Sequence, residues 1–221
     1  MGRRTIRTTT RVPACALFLT AMWAARGEIV DRVAVIVKQT AITASAIEEQ
    51  LRVAALLDKA PVDLGSAARR RMAERLIEQV LLRHEMEITR FAQPPDKDVD
   101  LALASLRKER PALAAEMAGY GVTESTLRRN LANQLATLRF IEMRFRPGSS
   151  VSDGEVDDYY REEFAPQFQK RSPGREVPPA DDVRDDIEAI LLQRKVDRAL
   201  DQWLKEERSR APVRFIEEAF Q

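Results

Sequence analysis

Cysteine and histidine are almost missing from this chain of 221 residues, which has one of each, Cys15 and His84. A single Cys excludes an internal disulfide framework, and Cys15 has no Cys or His neighbour that would complete a zinc site. A single His removes every mechanism that needs two, including the H-E-x-x-H zinc proteases. Glycine is also scarce, with eight residues, none followed by Lys. A Walker A loop is therefore excluded, and neither G-x-G-x-x-G nor G-x-S-x-G occurs. The apolar stretch Pro13 to Ala25, 13 residues long, is shorter than the roughly 20 needed to span a bilayer.

What the chain does have is 44% hydrophobic and 32% charged residues. That is too apolar for a wholly disordered chain and suits one domain or two small ones. The charge is unevenly placed. Arg3, Arg4, Arg7, Arg11 and Arg26 lie in the first 27 residues, where no acid occurs. Of 36 basic residues, 31 then remain against 35 acidic ones, a formal net charge of −4 from Glu28 onward. A mildly acidic body is a poor partner for nucleic acid or anionic lipid.

A basic segment, Arg3 to Arg11, followed by the apolar Pro13–Ala25 stretch and small residues at Ala25 and Gly27, has the layout of an export signal cleaved before Glu28. An uncleaved anchor is the competing reading. Neither the Arg3-Arg4 pair nor Cys15 has the surroundings of a twin-arginine or lipoprotein signal. The expected product is periplasmic, with no stable membrane insertion, and Cys-free, which suits an oxidising compartment.

Beyond the signal, Ile29 to Val37 is rich in β-branched residues, and Lys38-Gln39 offers a turn before Thr40 to Thr43, which predicts a hairpin. Ser45-Ala-Ile-Glu48 reads as a capping box opening a helix to about Leu57. The longest amphipathic stripe, Met72, Leu76, Val80 and His84, predicts a helix from Ser66 to about Ile88. Further helices are expected over Asp96–Glu109 and Ala112–Ala118, and from Thr123 to about Phe145 with Leu127, Leu131, Leu135, Leu138 and Ile141 inside. A second capping box, Ser152-Asp-Gly-Glu155, opens a helix to about Phe164. Pro166 to Ala180 contains four prolines and is expected to be an exposed loop. A last helix runs from Asp181 to about Ser209, with acids at its start and Arg208 and Arg210 at its end. Pro212 to Ile216 reads as a strand that pairs with the amino-terminal hairpin, since an isolated hairpin is marginal in water. The expected fold is mainly α, formally α+β, with a small antiparallel sheet closed by the two ends. The domain order is then 1–27 signal, 28–164 helical body, 165–180 proline-rich loop, and 181–221 helix and strand completing the same body.

This order of segments resembles the amino-terminal chaperone domain of the SurA/PpiC family. The resemblance is carried by Val30-Asp-Arg-Val-Ala-Val-Ile-Val37, Ile42-Thr-Ala-Ser-Ala-Ile47, Met72-Ala-Glu-Arg-Leu-Ile-Glu-Gln-Val-Leu-Leu82 and Val151-Ser-Asp-Gly-Glu-Val-Asp-Asp-Tyr-Tyr160. It extends over most of residues 29–164 and 181–216. Members of the family usually carry parvulin-type prolyl isomerase domains before the last helix. Here that interval is only Pro166 to Ala180, too short for one. The family's isomerase residues therefore have no positions to occupy, and no catalytic residue is assigned. The resemblance implies binding of unfolded outer-membrane or other envelope proteins.

Taken singly, the charged motifs have ordinary readings. His84 lies on an apolar stripe and is read as a packed histidine rather than a catalyst. Arg69-Arg-Arg71 is read as a solvated helix start rather than a phosphate site. Asp153, Asp157 and Asp158 lack the ligand spacing of a calcium loop, so they and Asp181–Asp186 are read as acids at helix starts. No metal or cofactor is expected. The candidate peptide-binding residues are Met117, Tyr120, Phe140, Met143, Phe145 and Tyr160, whose side chains adapt to varied apolar partners. The expected activity is that of an ATP-independent holdase. A prolyl isomerase of the same family and an adaptor with one envelope partner are the alternatives.

Overall fold

β-branched residues set the amino-terminal structure. The computed structural model describes residues 1–2 and 31–221, so the export signal expected up to Gly27 falls outside the described residues. Val33–Val37 (β1) and Thr40–Thr43 (β2) form the antiparallel hairpin, turning at Lys38, whose φ is 53°. Val213–Phe215 (β3) pairs antiparallel with the other side of β1, matching Val35 to Phe215 and Val37 to Val213. The sheet order is β2-β1-β3, so strands from the two ends of the described body close on each other as expected. Lys38 N–H donates to the Pro212 carbonyl and Ile216 N–H to the Ala34 carbonyl, both at 2.9 Å, extending the seam past the strand ends.

The first helix, α1 (Ala44–Asp58), departs from expectation at its cap. Because β2 runs straight into it, the extended residue is Thr43, whose hydroxyl accepts from Ala46 N–H at 3.2 Å. No capping box forms at Ser45–Glu48. Ser45 instead donates to the Asp31 carboxylate, and this bond, aided by one from Thr43, holds the Asp31 carboxyl below its usual range. Glu48 pairs with Arg69 at 2.7 Å. At the other end of α1, the buried Arg110 guanidinium donates to the carbonyls of Leu56 (2.9 Å) and Leu57 (3.4 Å) and to the Glu116 carboxylate. One side chain thus adds a donor to the Leu56 carbonyl, which also accepts from Lys59 N–H, and supplies one to Leu57.

Helices α2 (Ser66–Ile88), α3 (Asp96–Glu109) and α5 (Glu124–Phe145) have the predicted bounds. Thr123 caps α5 as expected, accepting from Thr126 N–H at 3.1 Å. The short α4 (Leu113–Tyr120) runs two residues beyond its predicted end and stops at Gly121, whose φ of 65° is the left-handed conformation that favours glycine. The stripe on α5 is rotated from the expected one. Leu127, Ala136, Phe140 and Phe145 are buried, whereas Leu138 is 61% exposed.

The second capping box is present at Ser152 and Glu155 and opens α6 (Asp153–Tyr159). Lys195 on α8 (Ala180–Arg210) adds an ion pair to Glu155 at 2.7 Å. That bond, with those from Ser152, lowers the Glu155 carboxyl to about 2.

The expected loop is the largest correction. Instead of unravelling after Phe164, the chain passes through one π turn (Tyr160–Phe164) into α7 (Ala165–Arg171), and the loop shrinks to the interval from Ser172 to Pro179. Pro166 sits in the first turn of α7, where its missing N–H and fixed φ are tolerated. The break comes at Ser172-Pro-Gly174, with Gly174 at φ 80°.

The core divides into three clusters. The first joins the sheet to α2 through Val35, Val37, Ile47 and Ile77, and includes Phe220 near the carboxyl end. The second gathers Val53, Leu56, Leu103, Leu113 and Leu127 from α1, α3, α4 and α5. The third packs Leu82, Met86 and Phe140 against Phe91, Trp203 and Leu204.

Candidate functional site

Trp203 packs against both the first and the third cluster. A half-open cleft of about 680 Å³ lies among members of all three, walled by one face each of α1, α2 and α5. Its apolar lining comes from every cluster: Met72 from the first, Val53 from the second, and Met86 and Ala136 from the third, with Ala54 and Leu57 beside them. Helical spacing produces this arrangement. Gln50, Val53, Ala54, Leu57 and Asp58 recur at three- and four-residue intervals along α1. Met72, Arg75, Gln79, Arg83 and Met86 do the same on α2. Leu138, the exposed leucine of α5, stands on the lining.

Six side-chain amides complete the walls: Gln50, Gln79, Gln93, Asn130, Asn133 and Gln134. Each offers a donor and an acceptor without formal charge. The charged lining residues are balanced, with Arg75 and Arg83 against Asp58 and Glu87. Beside the apolar packing of Val53 and Leu56 with Leu127, α1 and α5 share polar contacts. Asn130 Nδ2 donates to Gln50 Oε1 at 2.9 Å, Thr126 donates to Glu49 at 3.1 Å, and Arg129 reaches Glu49 at 2.9 Å. Asn130 is only 9% exposed, and its Oδ1, itself buried, has no hydrogen-bond partner among the described residues.

None of the six residues expected from the sequence lines this cleft. Met117 and Tyr120 are half-buried against the second cluster. Phe140 is 0% exposed, edge-on to Phe91 at 5.4 Å, and Phe145 is buried against Trp203 at 6.0 Å. Both are core residues, because the buried side of α5 faces α2 and α8, and neither can meet a partner without unfolding. Met143 is exposed on the same helix. Tyr160 lies apart from these, on the π turn, stacked on Phe164 at 5.7 Å with its hydroxyl donating to the Pro178 carbonyl at 2.7 Å. Phe164 in turn meets Phe168 at 6.0 Å.

The amide walls were missed because Asn and Gln carry no catalytic signature. The signal available in the sequence was Asn130, Asn133 and Gln134 at helical spacing, together with Gln50 and Gln79 on faces otherwise apolar.

A second hollow of about 660 Å³ holds His84 beside Val37, Val80, Leu81, Glu87 and Pro212. His84 is half-buried there, and among the described residues no group of three or more His, Cys, Asp or Glu is placed to hold a metal ion. No described helix is long and apolar enough to cross a membrane. Compared with protein-family models and with curated proteins, the chain matches none.

Proposed function

We propose that this protein is an ATP-independent holdase of the cell envelope that shelters unfolded outer-membrane or other exported proteins in the cleft between α1, α2 and α5. The carrying observation is the cleft itself, which combines an apolar floor, neutral amide walls, an open side and an exposed leucine on its lining. Val53, Met72, Met86 and Ala136 back the cleft from the core, and the apolar side chains a client would meet are the half-buried Ala54 and Leu57 and the exposed Leu138. The resemblance of segment order to the SurA/PpiC chaperone domain points the same way. Modest affinity would let a client leave without ATP.

A barrel strand awaiting assembly alternates apolar and polar residues, so it presents anchors on one side only. A one-sided cleft can cover those anchors and leave the polar side in water. Release then needs only dilution or a better partner, because ordering the client consumes much of the binding free energy.

Dilution of a urea-unfolded outer-membrane protein into buffer, followed by light scattering, tests the reading. The protein is expected to suppress aggregation at substoichiometric to equimolar ratios. Leu138→Glu should fold normally, because Leu138 is exposed, and should require about fivefold or more additional protein for equal protection, the cost of placing a charge against an apolar contact. A folded Leu138→Glu variant that protects as well as the parent would remove the cleft from the mechanism.

A further inference from the structure

We infer that the cleft selects its client by backbone as well as by side chains, taking a short extended segment of neutral, alternating sequence and refusing a helix. This rests on the holdase reading of the cleft and adds the conformation and chemistry of the bound segment.

Charge gives the first argument. With two cationic and two anionic residues on the lining, the walls offer no net field to attract a phosphate, a carboxylate or a polybasic segment. Hydrogen-bonding capacity gives the second. Side-chain amides on all three helices supply donors and acceptors together, which is the complement of a peptide group, itself one donor and one acceptor. An α-helix has already spent its internal N–H and C=O groups on itself and would offer the amide walls only its side chains. An extended segment keeps both free and sends alternate side chains to opposite faces, so apolar ones meet Ala54, Leu57 and Leu138 while polar ones face solvent.

Asn130 gives the third argument, independent of the other two. Its Nδ2 is held by Gln50, yet its Oδ1 is a buried acceptor with no donor from the described residues. Buried acceptors in native folds are normally satisfied. Little accessible surface remains on this oxygen, so a client N–H engages it only after the Asn130 or Gln50 amide turns, and such terminal amide torsions are soft. The apolar packing of Val53 and Leu56 with Leu127 holds α1 and α5 in place, so the adjustment is confined to the side-chain amides.

The test uses the protein, a fluorescent decapeptide alternating Val or Tyr with Ser or Thr, and the same decapeptide N-methylated at alternate backbone amides. Fluorescence anisotropy is expected to show at least about tenfold weaker binding of the methylated peptide, the loss of one or two net hydrogen bonds. Asn130→Leu removes the acceptor while improving helix propensity and burying an apolar side chain. It should melt no lower than the parent and bring the two peptides within about threefold of each other. Should Asn130→Leu fail to fold, Gln134→Leu at an exposed position tests the amide wall in its place, with a smaller narrowing of the ratio between the two peptides expected. A hydrocarbon-stapled helix of matching composition should not compete. Equal affinity for methylated and unmethylated peptide, or competition by the helix, would overturn the backbone selection and leave the holdase reading in place. Failure of the unmethylated peptide to bind, or binding indifferent to Leu138→Glu, would overturn both.

Discussion

Glu78 shows how a residue on the helix surface can still work against the fold. It lies on α2 near Glu74, one turn earlier, and Asp201 of α8. Partial burial and these two carboxylates raise its pKa, with Arg208 and Arg75 offsetting only part of the effect. A carboxyl whose folded pKa is raised destabilises the fold when ionised, and the penalty is relieved as pH falls through that raised value. Glu78→Gln is therefore expected to raise the melting temperature at pH 7.5 by about one to three degrees, since the group is partly solvated and the effect is screened. The gain should shrink as pH is lowered and vanish below the ordinary glutamate range, where parent and variant are both neutral. Thermal melts across pH 3.5 to 8 check the sign; a gain that grows toward acid would refute it. Arg110 and Asn130 mark the contrast between structural and binding polarity. The Arg110 guanidinium is saturated by Leu56, Leu57 and Glu116, whereas Asn130 keeps an acceptor in reserve.

Among the elements, the passage from α6 through the π turn to α7 is the most distinctive. Its three aromatic side chains at four-residue spacing, Tyr160, Phe164 and Phe168, form a ladder along one side, and Tyr160 fastens the Ser172–Pro179 loop through Pro178. Tyr160→Phe keeps the stacking and removes the hydroxyl, so a loss of about 1 kcal/mol is expected. Amide exchange should quicken between residues 172 and 179 while the interior of α8 stays protected. Unchanged exchange in that interval would show that the tyrosine bond does not hold the loop. The same region shows where sequence reasoning fails. Four prolines in 15 residues suggest one long loop, but a proline in a first turn is compatible with a helix, and only Ser172-Pro-Gly174 stops it. Helix bounds elsewhere were legible because they depend on local signals: the Thr123 cap, the Ser152–Glu155 box, the proline before α3. The hairpin was legible from its β-branched residues. The exposure of Leu138 and the burial of Phe140 were not, because which side of α5 faces inward is set by neighbours far along the chain. The cleft was hidden for the same reason. Five of its six amides sit on three helices and the sixth, Gln93, on the link after α2, and only packing brings them together.

At the scale of the molecule, the sheet joins the two ends of the described body. Removal of residues 211–221 would leave β1 with an unpaired edge, expose Val35 and Val37, and take Phe220 and Ala219 from the first cluster. One large buried apolar side chain is worth about 1.5–3 kcal/mol, and a domain is held by only about 5–15 in total. The shortened chain is expected to lose its cooperative melt by near-ultraviolet circular dichroism while keeping much of its helical signal. A cooperative transition near the parent's temperature would show that the closing strand is dispensable.

That closure also imposes a timetable. β1 lies far ahead of its second neighbour in the chain and cannot acquire it until Val213–Phe215 has folded back beside it. Throughout that wait the nascent hairpin carries an open edge able to recruit strands from other chains. A protein proposed to guard others from clumping thus passes through a vulnerable interval of its own. A circular permutant with its new ends in the Ser172–Pro179 loop, making β3 before β1, would shorten it.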